Sequence, residues 1–243
     1  VNAAAQPGVV YLAGAGPGDP NLLTLRAVRL LETADVILPD DLVSEEVLAL
    51  AQARAEVTPV GKRCGQPRIT QAEIHRLMID AAQAGKSVLR LKSGDPLVFG
   101  RAGEEIAALR SAGVAFEIVP GITAAFAVAA TLQTPLTDRT AASRLIFATA
   151  HHAAGKLELS PKWAGTFPEE STLVIYMPGR RFRLLADDLI ASGIAPDTSC
   201  VAVSKATTCD ERVHATTLAL IEDDDVGPAP VILLIGHAIQ ILA

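Results

Sequence analysis

Arg90-Leu91-Lys92-Ser93-Gly94-Asp95-Pro96-Leu97-Val98-Phe99-Gly100-Arg101-Ala102-Gly103-Glu104-Glu105 packs a strand end, a glycine turn, an acid, a base and a helix start into sixteen consecutive residues. Ser87 to Leu91 reads as a buried strand, Ser93 to Pro96 as a sharp loop at its carboxyl end, and Ala102 to Ala112 as the helix that follows. In open α/β sheets a ligand usually sits outside the carboxyl ends of the strands. There glycine lets backbone approach it, and an acid can hold a hydroxyl or a cationic centre. This stretch predicts an α/β fold with its crevice beside Gly94.

The pattern repeats outward from it. Val9 to Ala13 is a strand followed by Gly14-Ala15-Gly16-Pro17-Gly18-Asp19-Pro20 and a Leu-rich helical segment, Leu22 to Leu31. Pro17 and Pro20 separate this loop from the G-x-G-x-x-G dinucleotide fingerprint, which leaves a nicotinamide oxidoreductase as a rival reading. Val36 to Leu38 is a strand ending in Pro39-Asp40-Asp41. If both aspartates lie on extended backbone, only one of them can face a ligand. Ser44 caps a helix whose first turn carries Glu45 and Glu46, and Thr70 with Glu73 forms a capping box for a helix through Ala84. Between them the loop Gly61 to Arg68 is glycine-rich and basic, suited to an anion. After the strand Val114 to Val119, an Ala-rich helix ends near Leu132. From Arg144 the pattern restarts with strands to Thr149, Thr172 to Met177, Ser199 to Ser204, Glu211 to Thr216 and Val231 to Ile235, plus a helix from Arg181 to Ser192. Two α/β domains are expected, residues 1–119 and 120–243.

Of the 243 residues 50% are hydrophobic but only 4% aromatic, so the core must be built from Ala, Leu, Val and Ile. Parallel strands covered by helices on both faces have that composition. No apolar run approaches the roughly 18 residues of a membrane span, and the first residues lack the order of a signal peptide; a cytoplasmic protein without membrane partners is expected. The formal charge of −6 argues against a general nucleic-acid binder. Lys62, Arg63, Arg68, Arg90, Lys92, Arg101, Arg139 and Arg144 fall near predicted strand ends and loops, far from the acidic run Glu222 to Asp225, which suits a small polyanionic ligand in a basic cleft. Cys64, Cys200 and Cys209 are isolated and should be reduced thiols. The histidines show no metal-ligand spacing, and no metal is expected.

Together Val10 to Asp19, Asp40 to Ser44, Gly61 to Arg63, Arg90 to Glu105, Val119 to Ala125 and Pro135 to Arg139 resemble the uroporphyrinogen-III C-methyltransferases of the tetrapyrrole methyltransferase family. The resemblance implies two α/β domains with largely parallel or mixed sheets and S-adenosylmethionine in an interdomain cleft. It further implies methylation of uroporphyrinogen III at C2 and C7 to give precorrin-2, S-adenosylhomocysteine as coproduct, and a homodimer. Carried over by position, the cofactor contacts are Pro17, Ser93, Gly94, Asp95, Val98, Thr123, Ala124, Met177 and Ala206. The proton acceptor is Asp40 and the proton donor Lys62. Lys62, Arg63, Arg68, Arg101 and Arg139 would bind the eight substrate carboxylates, which suits arginine's bidentate fork. Ser93 stands where the family has glycine, and Asp41 where it has a neutral or basic residue. The rivals are a methyltransferase acting on a later precorrin and a non-catalytic tetrapyrrole carrier.

Overall fold

The computed structural model describes residues 4–61, 69–150 and 168–239. The chain divides into two compact units, Val1–Thr123 and Ala124–Ala243. In the first, β1 (Val9–Gly14), β2 (Val36–Pro39), β3 (Glu56–Val57), β4 (Val88–Lys92) and β5 (Ala115–Val119) form one sheet in the order β3-β2-β4-β1-β5. Every pairing in it is parallel. Alternation along β1 sorts the core onto two faces, because successive side chains point to opposite sides of a strand. Tyr11 and Ala13 pack with Leu30, Leu31, Ile37 and Leu89, whereas Val10 and Leu12 pack with Leu38, Met78, Val88 and Leu109. Helices α1 (Leu25–Leu31) and α2 (Glu45–Leu48) contribute to the first face, α3 (Gln71–Gln83) and α4 (Ala102–Ser111) to the second.

The helix ends follow local chemistry. The Thr70 hydroxyl accepts from the Glu73 amide at 3.2 Å while the Glu73 carboxylate accepts from the Thr70 amide at 2.7 Å, the reciprocal box expected from the sequence. The Ser44 hydroxyl accepts from the Val47 amide. The helix read over Leu22 to Leu31 is broken in two: Asp19 caps a 3₁₀ turn at Pro20–Leu22, and Thr24 then caps α1. Pro20 starts the first turn, but extended backbone at Leu23 and Thr24 prevents one continuous helix. The edge strand β3 was not legible, being two exposed residues without alternation.

In the second unit α5 (Ala124–Thr131) precedes β6 (Arg144–Thr149), β7 (Ser171–Tyr176), α6 (Phe182–Ala191), β8 (Ser199–Ser204), β9 (Arg212–Thr217) and β10 (Val231–Ile235). The sheet order is β6-β7-β10-β8-β9. It is mixed: β6 and β7 run parallel, while β10 is antiparallel to both β7 and β8. The carboxyl ends of β6, β7 and β8 therefore share one edge. One face of this sheet, through Leu173, Ile175, Ala202 and Leu233, packs on Phe182, Leu185 and Leu189 of α6. The first unit's compactness extends to Thr123 because Pro120 to Thr123, after β5, turns back onto the loops after β1 and β4.

Candidate active site

Parallel pairing puts the carboxyl ends of β1, β4 and β5 side by side, and the loops leaving them interlock. The Gly16 and Gly94 amides exchange hydrogen bonds with each other's carbonyls at 3.2 and 2.7 Å, and the Ala15 amide donates to the Lys92 carbonyl at 2.7 Å. A Cβ added at Gly14 would lie 2.4 Å from the Gly94 oxygen, and one added at Gly121 would lie 2.3 Å from the same atom. Gly94 itself has φ +67°. Only glycine permits three backbones to meet this closely.

Asp95, a cofactor contact by the resemblance, also holds the loops together. One carboxylate oxygen accepts from the Leu97 amide at 2.8 Å and the other from the Gly121 amide at 3.0 Å. Val98 closes the turn by donating to the Asp95 carbonyl. Ser93 and Pro17 are half-buried beside buried Gly94 and Gly16. The Ser44 hydroxyl donates to the Gly18 carbonyl at 2.8 Å, tying the loop after β2 to the glycine loop. Thr123 is buried at the end of the first unit.

Beside this backbone cradle lies a charged cluster. Asp40 follows β2 and opens a turn in which the Val43 amide donates to its carbonyl. Its carboxylate accepts from Nη2 of Arg90 and lies 3.7 Å from Nζ of Lys92. Asp41 is exposed in the turn, with Gly61 packed on its backbone. Arg90 and Lys92 were read as part of a basic cleft. They are 2% exposed, because β4 is central in the sheet and lies under α3 and α4. Fully buried Glu105 of α4 bridges them, with Oε1 2.9 Å from Nε of Arg90 and 3.1 Å from Nζ of Lys92. Burial, followed by repulsion from Arg90, pushes the Lys92 ammonium below its usual range. Removing one member of such a buried group typically costs about 3–5 kcal/mol, because an uncompensated charge stays behind.

Among the other cationic candidates, Arg101 is exposed at φ +57° and holds Glu104 through Nε at 2.8 Å and Nη2 at 2.6 Å. Arg139 is exposed in a turn fixed by the Asp138 carboxylate, which accepts from the Thr140 and Ala141 amides. Lys62, Arg63 and Arg68 lie outside the described residues.

In the second unit the residues after β7 and β8 share a rarely populated backbone. Met177 has φ +49° and is 46% exposed, while Lys205 and Thr207, flanking Ala206, have φ +49° and +62°. Backbone of this kind outside glycine persists only where surrounding structure imposes it, and it concentrates at functional sites. Here the Lys205 amide donates to the Pro230 carbonyl at 2.8 Å, and the Glu211 carboxylate accepts from the Thr207 amide at 2.6 Å. Ala124 begins α5, whose Ala125 amide donates to the Tyr176 hydroxyl at 3.4 Å. Cys200 is buried and its thiol is pushed up to about 12 by desolvation, so it is no nucleophile.

A family model, the tetrapyrrole (corrin/porphyrin) methylases, matches residues 9–222. The chain belongs to this family. A siroheme synthase from Nitrosococcus oceani is 43% identical over 239 residues, covering 97% of this chain and 51% of that protein. The chain thus spans about half the length of the curated relatives it matches. A uroporphyrin-III C-methyltransferase from Thermus thermophilus, solved in complex with S-adenosyl homocysteine, superposes with a TM-score of 0.77 at 37% identity, over 95% of this chain and 93% of that one. A cobalt precorrin-4 methyltransferase superposes with a TM-score of 0.81 at 31% identity, covering 96% of each chain.

The glycine cradle, with Asp95 as its staple, lies at the loops where the sequence motifs led to the expectation of a ligand crevice. Glu105 is the residue that sequence reasoning left out. Its signal was present in the spacing Arg90-x-Lys92, which puts two cations on one face of a buried strand where a buried acid must balance them.

Proposed function

We propose that this chain is an S-adenosylmethionine-dependent C-methyltransferase that methylates uroporphyrinogen III at C2 and C7, giving precorrin-2. The observation that carries this reading is the meeting of Gly14, Gly94 and Gly121 backbones at the carboxyl edge of a parallel sheet, in a fold shared at full length with a uroporphyrin-III methyltransferase. Such a cradle fits a cofactor held by backbone approach, and Pro17, Ser93, Gly94, Asp95, Val98 and Thr123 would hold it; Ala124, Met177 and Ala206 are further contacts that the family resemblance implies. When bound, S-adenosylmethionine supplies a methyl group already activated by its sulfonium. The protein's remaining task is to orient the macrocycle and to take the proton that its methylated carbon skeleton loses.

Asp40 takes that proton in this reading, and Lys62 is the donor. Arg63, Arg68, Arg101 and Arg139 bind substrate carboxylates. The Arg101–Glu104 pair is exposed on both sides, so exchanging Glu104 for a substrate carboxylate costs little. Arg139→Ala is expected to weaken tetrapyrrole binding about tenfold to a hundredfold, the worth of one charge-assisted hydrogen bond at roughly 1.5–3 kcal/mol. Binding of S-adenosylhomocysteine should be unchanged in the same calorimetric series; equal losses for both ligands would remove Arg139 from the substrate side.

The full-length likeness to a cobalt precorrin-4 methyltransferase supports a second reading, methylation of a later precorrin. Mass spectrometry of the product decides between them. Addition of two methyl groups to uroporphyrinogen III supports the first, and turnover only of an already methylated corrinoid precursor supports the second.

A further inference from the structure

The fork of Arg90 is split between two acids: Nε donates to Glu105 Oε1 at 2.9 Å while Nη2 donates to Asp40. Lys92 is shared likewise, 3.1 Å from Glu105 and 3.7 Å from Asp40. Glu105 is fully buried and uses its oxygens unequally. Oε1 accepts from Arg90, from Lys92 and from Gln71 of α3 at 3.3 Å, whereas buried Oε2 has no hydrogen-bond partner among the described residues. An arginine serving only to hold a helix on a strand would commonly meet one carboxylate with both arms. Here α4 presents an acid to two cations that both also face the half-exposed Asp40.

Resting on the reading of Asp40 as proton acceptor, we propose that Glu105 is a positioning residue: acting through Arg90 and Lys92, it fixes the Asp40 carboxylate and sets how tightly that carboxylate holds a proton. Among the described residues, the charged groups facing Asp40 are Arg90 and Lys92 from β4, with Glu105 of α4 behind them; Gln71 of α3 is neutral, and Asp41, next in the chain, is exposed. Two cations balance two carboxylates. When Asp40 takes a proton the cluster gains a net positive charge, and Glu105 limits its cost. Without Glu105 the two cations oppose protonation of Asp40 more strongly, and it becomes a weaker base. Without the Lys92 charge, protonation becomes easier. The depressed proton affinity of Lys92, from burial and then from Arg90, accords with a cation held where solvent does not help it.

Carbon-13 carboxyl NMR of the full chain tests this, with the Asp40 resonance identified by its disappearance in Asp40→Asn. Glu105→Gln should move the Asp40 titration midpoint to lower pH by about one unit, and Lys92→Met should move it to higher pH by about one unit, the usual effect of a charge at this range. The double variant should return toward wild type. In parallel, kcat on uroporphyrinogen III should fall about tenfold in Glu105→Gln with KM for both substrates unchanged. Midpoints that stay still, or that move in the same direction, overturn the proposal. Should Glu105→Gln fail to fold, Glu105→Asp keeps the charge and shortens the reach; it should lower kcat at constant KM, and a wild-type kcat would overturn the positioning role. Opposed midpoint shifts in the two variants, together with a wild-type chain that does not turn over uroporphyrinogen III, would overturn the functional reading while upholding the coupling. Turnover with unmoved midpoints would sink this proposal alone.

Discussion

Asp40→Asn is expected to cut turnover of uroporphyrinogen III by about a hundredfold or more, the usual worth of a positioned base, while both binding affinities change little. The amide fills the same space after β2 but cannot take a proton from the macrocycle. A structural role for Asp40 would give a different pattern. Its carboxylate does not cap the turn it opens; it accepts from Arg90 and lies near Lys92. Removing its charge leaves those two cations facing Glu105 alone, so some stability is lost, but Asp40 is 31% exposed and solvent screens much of that. The decisive comparison is kcat against the unfolding midpoint. Activity lost far beyond stability supports the base, and activity lost in step with stability removes it. Asp41→Asn, in the exposed part of the turn, should keep near wild-type rate.

Gly94→Val is expected to lower the affinity for S-adenosylhomocysteine by at least about a hundredfold, roughly 2.7 kcal/mol. Two effects combine. Valine at φ +67° is a steric outlier that costs about 1–3 kcal/mol, so the variant is also less stable than wild type. Relaxing that strain means moving the Gly94 carbonyl, which is already wedged between Gly14 and Gly121 and bonded to the Gly16 amide. The loop therefore shifts where the cofactor would lie. Gly103→Ala is the control, since a Cβ there meets open space within α4; it should leave binding unchanged. Calorimetry showing wild-type affinity in Gly94→Val would mean that this loop is not the cofactor cradle.

The short apolar run Val9 to Ala13 with its glycine loop and the capping residues Ser44 and Thr70 were sufficient to read much of the first unit from its sequence, because strand-length apolar runs and helix caps are local properties. The loop at Gly94 could be marked as a place of close backbone approach for the same reason, whereas its meeting with Gly14 and Gly121 depends on strands far apart in the chain. In the second unit the antiparallel placement of β10 between β7 and β8 had no local signal; Val231–Ile235 is as uniformly buried as a parallel strand would be.

By itself the sequence determined the class of fold, the positions of the glycine loops and the family, since these depend on residue type and spacing along the chain. Tertiary structure alone decided what the charges do. Asp95 became a backbone staple and Arg101 a partner of Glu104. Arg90 and Lys92 turned from candidate surface cations into buried ones shared by Asp40 and Glu105. A formal charge read from sequence has no environment. Its energy depends on burial and on which opposite charge the fold brings within a few ångströms, and for Glu105 that depended on packing α4 against the central strand of the sheet.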